Sequence, residues 1–99
     1  MIYTIFQYAV KPDRVDIVLE AIDSQIEAIK REFGPAVHLK VFSSLDNFSY
    51  VHLASIKDEK TAERYINSAL LEKFSTILYE NCETYSQLKE LKFIKSTQD

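Results

Sequence analysis

Every strand-like stretch of this chain carries apolar side chains on both of its faces, yet only two helical stretches are available to cover them. In Ile2–Val10 one face presents Ile2, Thr4, Phe6, Tyr8 and Val10, and the other presents Tyr3, Ile5, Gln7 and Ala9. A strand of that kind expects cover above and below. The other elements follow as an expected helix over Pro12–Phe33, a strand pair Val37–Ser44 and Phe48–Ile56, a helical region Glu59–Asn81 and a closing strand Thr84–Ile94. This β-α-β-β-α-β order predicts an α+β split βαβ fold, with a four-stranded antiparallel sheet and the helices on one face. Two helices cover only that face. The other is expected to be buried by a second copy, making the protein a homodimer through its sheet faces.

The helix boundaries carry their own signals. Pro12 suits a first helical position, where its missing N–H is no loss. Val15, Val18, Leu19, Ile22, Ile26, Ile29 and Phe33 recur every three or four residues as one apolar stripe. Asp13, Asp16 and Glu20 lie early and Lys30 and Arg31 late, which complements the helix dipole. Gly34-Pro35 is a stop signal. In the second helical region, Asp58 reads as the N-cap. Asn67-Ser68 are cap-type residues placed in mid-pattern, which predicts a short helix, a break and a longer helix. Ser96–Asp99 is expected to be a frayed tail.

Composition removes several classes of function. Ninety-nine residues suffice for a single domain, 1–99, with a modest core. The apolar fraction of 46% and charged fraction of 27% rule out bulk disorder. With a net charge of −3 and interspersed signs there is no basic stripe, and Ser49–Ser55 has no Gly, Lys or Arg; both argue against nucleic-acid binding. No apolar run is long enough to span a membrane. The start, Met1-Ile2-Tyr3-Thr4, does not read as a secretory signal, and the lone Cys82 allows no internal disulfide; a cytoplasmic location is expected. One glycine, Gly34, is too few for a phosphate-cradling loop, so no nucleotide cofactor is expected.

The run Tyr50-Val51-His52-Leu53, Lys57-Asp58-Glu59, Ala62-Glu63-Arg64-Tyr65, Asn67-Ser68 and Leu71-Glu72-Lys73-Phe74 resembles the antibiotic-biosynthesis-monooxygenase-like family. The N-terminal half matches that family in layout: strand, Lys-Pro turn, long amphipathic helix, Gly, hairpin. The resemblance implies a ferredoxin-like protomer paired into a dimeric α/β barrel, no cofactor, and a small aromatic or polyketide-like compound as ligand. It implies a cofactor-free oxygenase or isomerase; the alternative is a dimer that binds a ligand without chemistry of its own. Tyr65 occupies the position where many relatives carry His. The chain has no Trp, and Ser75 falls near the iron-binding His of haem-degrading relatives. Both departures argue against haem breakdown.

Candidate catalytic residues are Tyr65 and His52. The Tyr65 phenol could hydrogen-bond a ligand, polarise a carbonyl, or simply fill the core. His38 and His52 sit on the two strands of one hairpin, and a turn centred near Asp46 would point both to the same face, able to share a ligand or meet a dimer partner. No third ligand offers itself nearby, so no metal is expected. Phe6, Tyr8, His38, Phe42, Tyr50 and Tyr65 are the candidate ligand-binding residues, with Tyr85 and Phe93 as further strand aromatics; the competing reading makes them core and interface. Cys82, at a helix end without a clear basic neighbour, is not expected to be activated.

Overall fold

A computed structural model describes residues 1–98; Asp99, the end of the expected tail, lies outside the described residues. The elements are β1 (Ile2–Val10), α1 (Val15–Phe33), β2 (Val37–Ser43), β3 (Ser49–Ile56), α2 (Glu59–Ile66), α3 (Ala69–Asn81), β4 (Cys82–Tyr85) and β5 (Lys89–Leu91). Pro12–Arg14 forms a single 3₁₀ turn ahead of α1 rather than its first α-helical turn. The sheet is antiparallel in the order β2-β3-β1-β4, with β5 also on β1. β1 is therefore central, as its two apolar faces required.

The alternation works as expected on the helix side. Thr4, Phe6, Tyr8 and Val10 of β1 are buried, as are Tyr50, His52, Ala54 and Ile56 of β3. They meet α1 through Val18, Ile22, Ile29 and Phe33. One cluster gathers Phe6, Tyr8, Val10, Val18, Ile22, Tyr50, Phe74, Leu78 and Cys82. A second gathers Ile29, Phe33, Val37, Ala54, Ile56, Ala62 and Tyr65. On the opposite face Tyr3, Phe42 and Leu91 are exposed, beside half-buried Ile5, Val51 and Leu53.

The helical break falls at Asn67-Ser68. The Asp58 carboxylate accepts from Thr61 N at 2.8 Å to start α2, and Ser68 Oγ accepts from Leu71 N at 3.4 Å to start α3. Gly34 ends α1 at φ +55 and ψ −136, and its N–H donates to the Lys30 carbonyl. A Cβ at Gly34 would meet no atom within 4 Å, so any cost of adding one is backbone strain alone. Gly34→Ala is expected to lower stability by about 1–3 kcal/mol, readable as a shifted urea midpoint with unchanged slope.

The closing strand departs from expectation. It begins at Cys82, breaks over Ser86–Leu88, and resumes only for Lys89–Leu91. The register against β1 shifts between Ala9 and Val10, which is a bulge. Across the gap, Ser86 N donates to the Gln7 carbonyl at 2.8 Å and Gln7 N donates to Ser86 Oγ at 2.9 Å. Phe93 and Ile94, expected in the strand, lie beyond it and are exposed.

Candidate functional site

The break between α2 and α3 and the gap between β4 and β5 face each other across the helix side of the sheet, and a cleft of about 460 Å³ lies between them. Ile66, Asn67 and Ser68 come from the break, Leu71, Phe74, Ser75 and Leu78 from one face of α3, and Tyr85, Ser86, Gln87 and Leu88 from the closing strand. Phe6 of β1 reaches it from the sheet, and Glu72 adds an acid. Three of the polar side chains are already engaged. Asn67 Nδ2 donates to the Glu63 carbonyl, Ser68 Oγ donates to the Tyr65 carbonyl at 2.7 Å, and Ser86 Oγ accepts from β1. Glu72, Ser75 and Gln87 also line the cleft, with no side-chain hydrogen bond of their own among the described residues.

Packed against Phe6 and Phe74, two of the lining aromatics, lies a nest of rings. The His52 ring centroid is 4.5 Å from that of Phe6, 5.2 Å from Tyr8 and 5.3 Å from Phe74. Tyr8 stacks on Tyr50 at 5.4 Å. Tyr8 Oη and His52 Nε2 are 2.7 Å apart, with the donor set by the histidine tautomer. His52 Nδ1 is buried without a partner among the described residues. Burial pushes the His52 pKa down to about 4, and burial, then the nearby Cys82 and Tyr50, push the Tyr8 phenol up. Both groups are neutral at pH 7. A base of pKa near 4 that does not line the cleft is poorly placed to take a substrate proton.

The other expected site residues are placed differently. Tyr65 is 1% exposed, packs edge-on against Phe33 at 5.6 Å, and does not line the cleft, although the next three residues do. Its phenol is pushed up to about 12 by burial, as befits a core side chain. His38 and His52 do not share a face. His38 pairs with Ser55 while His52 pairs with Val41, so His38 lies three residues from the partner of His52 and points to the opposite side. Phe42 likewise occupies the open face, 50% exposed. Of the expected ligand-binding set only Phe6 lines the cleft; Tyr8, Phe42 and Tyr50 border a separate, open hollow of about 620 Å³ beside the β2–β3 hairpin, and His38 lies on the open face of the sheet. Cys82 is a buried free thiol pushed up to about 11, with Lys11 as an opposing basic neighbour that the sequence did not reveal. Among the described residues no group of three His, Cys, Asp or Glu side chains could hold a metal ion.

Ser75, which aligns near a pocket position of haem-degrading relatives, lines the cleft, and the polar lining from Ser86 and Gln87 is absent from the expected set. Its signal was present: Ser86-Gln87 between Tyr85 and Leu88 breaks the apolar alternation of the closing strand.

No protein-family model matches the chain, and no curated protein matches it in sequence. Solved structures do match in shape. A crystal structure of an antibiotic biosynthesis monooxygenase superposes with a TM-score of 0.80 at 15% identity, covering 96% of this chain and 100% of that one. A cofactor-independent oxygenase from Streptomyces nogalater gives 0.78 at 13% identity over 99% and 97% of the two chains. A conserved protein from Methanosarcina mazei Go1 gives 0.78 at 20% identity over 92% and 90%. The chain thus has the ferredoxin-like fold of proteins bearing the antibiotic-biosynthesis-monooxygenase name, the family whose pattern its sequence resembles. No helix among the described residues is long and apolar enough to cross a membrane.

Proposed function

We propose that the 99 residues act as one domain of a homodimer that takes a small apolar or aromatic compound into the cleft beside the α2–α3 break and oxygenates it without a cofactor. The observation that carries this reading is the cleft itself. Its walls are Phe6, Ile66, Leu71, Phe74, Leu78 and Leu88, with a few polar groups at defined positions, the usual character of a small-molecule site. The chemistry fits a dry pocket of this kind. A methylene activated by neighbouring aromatic and carbonyl groups can react as R₂CH₂ + O₂ → R₂C=O + H₂O, the substrate supplying all the electrons. The Streptomyces neighbour, named a cofactor-independent oxygenase, supports the same direction.

A second reading, binding without chemistry, is favoured by the ionisable residues. The groups whose pKa values are most displaced, His52, Tyr8, Tyr65 and Cys82, do not line the cleft. The test is oxygen uptake by the protein with anthrone in the presence of a chelator, beside fluorescence titration with a naphthalene-type probe. Protein-dependent uptake with one quinone formed per O₂ supports the enzyme. Probe binding displaced by anthrone without uptake supports the binder, and neither result would end both.

The dimer reading rests on Tyr3, Ile5, Phe42, Val51, Leu53 and Leu91, which share the face opposite the helices with Gln7, Lys40 and Ser55. Such a pairing should bury more than roughly 1,000 Å² in total. Light scattering at micromolar concentration should report twice the chain mass; a monomer refutes it.

A further inference from the structure

Gln25 is the one polar side chain among the buried residues of α1, between Ile22 and Ile29. It is 5% exposed, and among the described residues neither its amide nitrogen nor its amide oxygen has a hydrogen-bond partner. A buried amide left unmet on both atoms is costly, and native structures rarely carry one without something to meet it. Gln25 lines a crevice of about 70 Å³ between α1 and α3, separate from the cleft described above. Leu70, Phe74 and Ile77 form its apolar side, and the exposed residues Ser24 and Lys73 also border it. Lys73 makes no ion pair among the described residues.

We propose that this crevice binds a short-chain carboxylate of two or three carbons. Its donors are the Gln25 amide N–H, the Ser24 hydroxyl and the Lys73 ammonium, a set without a carboxylate of its own. Hydrogen bonds from a cation to a carboxylate are among the stronger ones a protein makes. The Gln25 oxygen is left to accept from Lys73 or Ser24, so the whole amide is met. The alkyl end of the acid lies against Phe74 and Ile77. The small volume, about 70 Å³, limits the occupant to a short chain. Water would satisfy Gln25 but would wet the apolar wall of Leu70, Phe74 and Ile77, which the alkyl end of an acid covers. Phe74 borders both this crevice and the cleft, so an acid seated here touches a side chain that also faces the cleft.

The test titrates the isotopically labelled full chain with sodium acetate, against sodium chloride at matched ionic strength, and follows amide shifts by NMR. Expected are saturable, acetate-specific shifts at Ser24, Gln25, Lys73 and Phe74, including the Gln25 side-chain amide. Gln25→Leu and Lys73→Met should each weaken acetate binding by about tenfold or more. Gln25→Leu should also raise the melting temperature, because it removes an unmet amide at nearly constant volume. Lys73 is on the surface, so Lys73→Met decides the matter even if the core variant misfolds. Shifts that grow linearly and equally in chloride would overturn the proposal. So would acetate affinity unchanged in Lys73→Met, or a crystal grown in acetate with only water beside Gln25.

Discussion

Ile22→Asp is expected to leave the chain unfolded in buffer at neutral pH. Ile22 is 6% exposed and packs in the cluster of Phe6, Tyr8, Val18, Phe74 and Leu78, where helix α1 meets the sheet. A carboxylate placed there loses its hydration and finds no cation, while the apolar burial of the isoleucine is lost as well. Each effect costs a few kcal/mol. Their sum is comparable to the whole stability of a typical domain, about 5–15 kcal/mol. Circular dichroism of the purified variant should show lost helix signal and no cooperative melt. A soluble variant with the parent melting temperature would mean that α1 is rotated relative to the sheet. Ile22→Val, which keeps the site apolar, should cost only about 0.5–1.5 kcal/mol.

Stability should fall by about 3 kcal/mol as pH drops from 6.5 to 4, owing to His52 alone. Burial holds its folded pKa near 4, whereas an unfolded histidine titrates near 6.5. Between those values the unfolded chain binds the extra proton, so acid favours unfolding; above about 6.5 neither state holds it and the contribution vanishes. The direction is set by burial, since the protonated ring would sit at 1% exposure among Phe6, Tyr8 and Phe74. Asp58 and Asp46, held below the usual range by hydrogen bonds in the fold, also weaken the protein in acid, at lower pH. Urea denaturation across this range isolates the histidine by comparison with Tyr8→Phe/His52→Leu. That pair removes both partners of one hydrogen bond, and its stability should be flatter with pH by the stated amount. Equal slopes would show that His52 reaches water in the folded state.

The parts of the fold that were legible share one property: a local pattern decided them. The stripe from Val18 to Phe33, the Asp58 cap, and the Asn67-Ser68 break each rest on residues close in sequence, and each stands where expected except Leu19, which the stripe included and the fold leaves 41% exposed. The errors came where pairing across the chain decides. The facing of His38 and His52 depends on hairpin register, and a shift of one residue exchanges the faces. The cleft joins residues 6, 66–78 and 85–88, a grouping that no single segment announces. Of the alternatives open for Tyr65, the structure gives the core position: Tyr65 turns toward Phe33 while the next three residues turn toward the cleft. Gln25 fell within the spacing of an apolar stripe and was passed over as a polar residue.

The split closing strand bears on how the cleft is reached. β1 pairs with β3 through eight consecutive residue partners, but with β4 and β5 through three each, separated by Ser86–Leu88. Short ladders beside a gap bridged by the Ser86–Gln7 hydrogen bonds are the segments that detach at low free energy, long before the rest of the molecule yields. Amide hydrogens of β5 and of Tyr85–Ser86 should therefore exchange with deuterium far sooner than those of β3. Because Tyr85 to Leu88 form one wall of the cleft, that same partial release uncovers its interior. The door to the cleft is then the sheet's own edge, with the helices as a fixed frame.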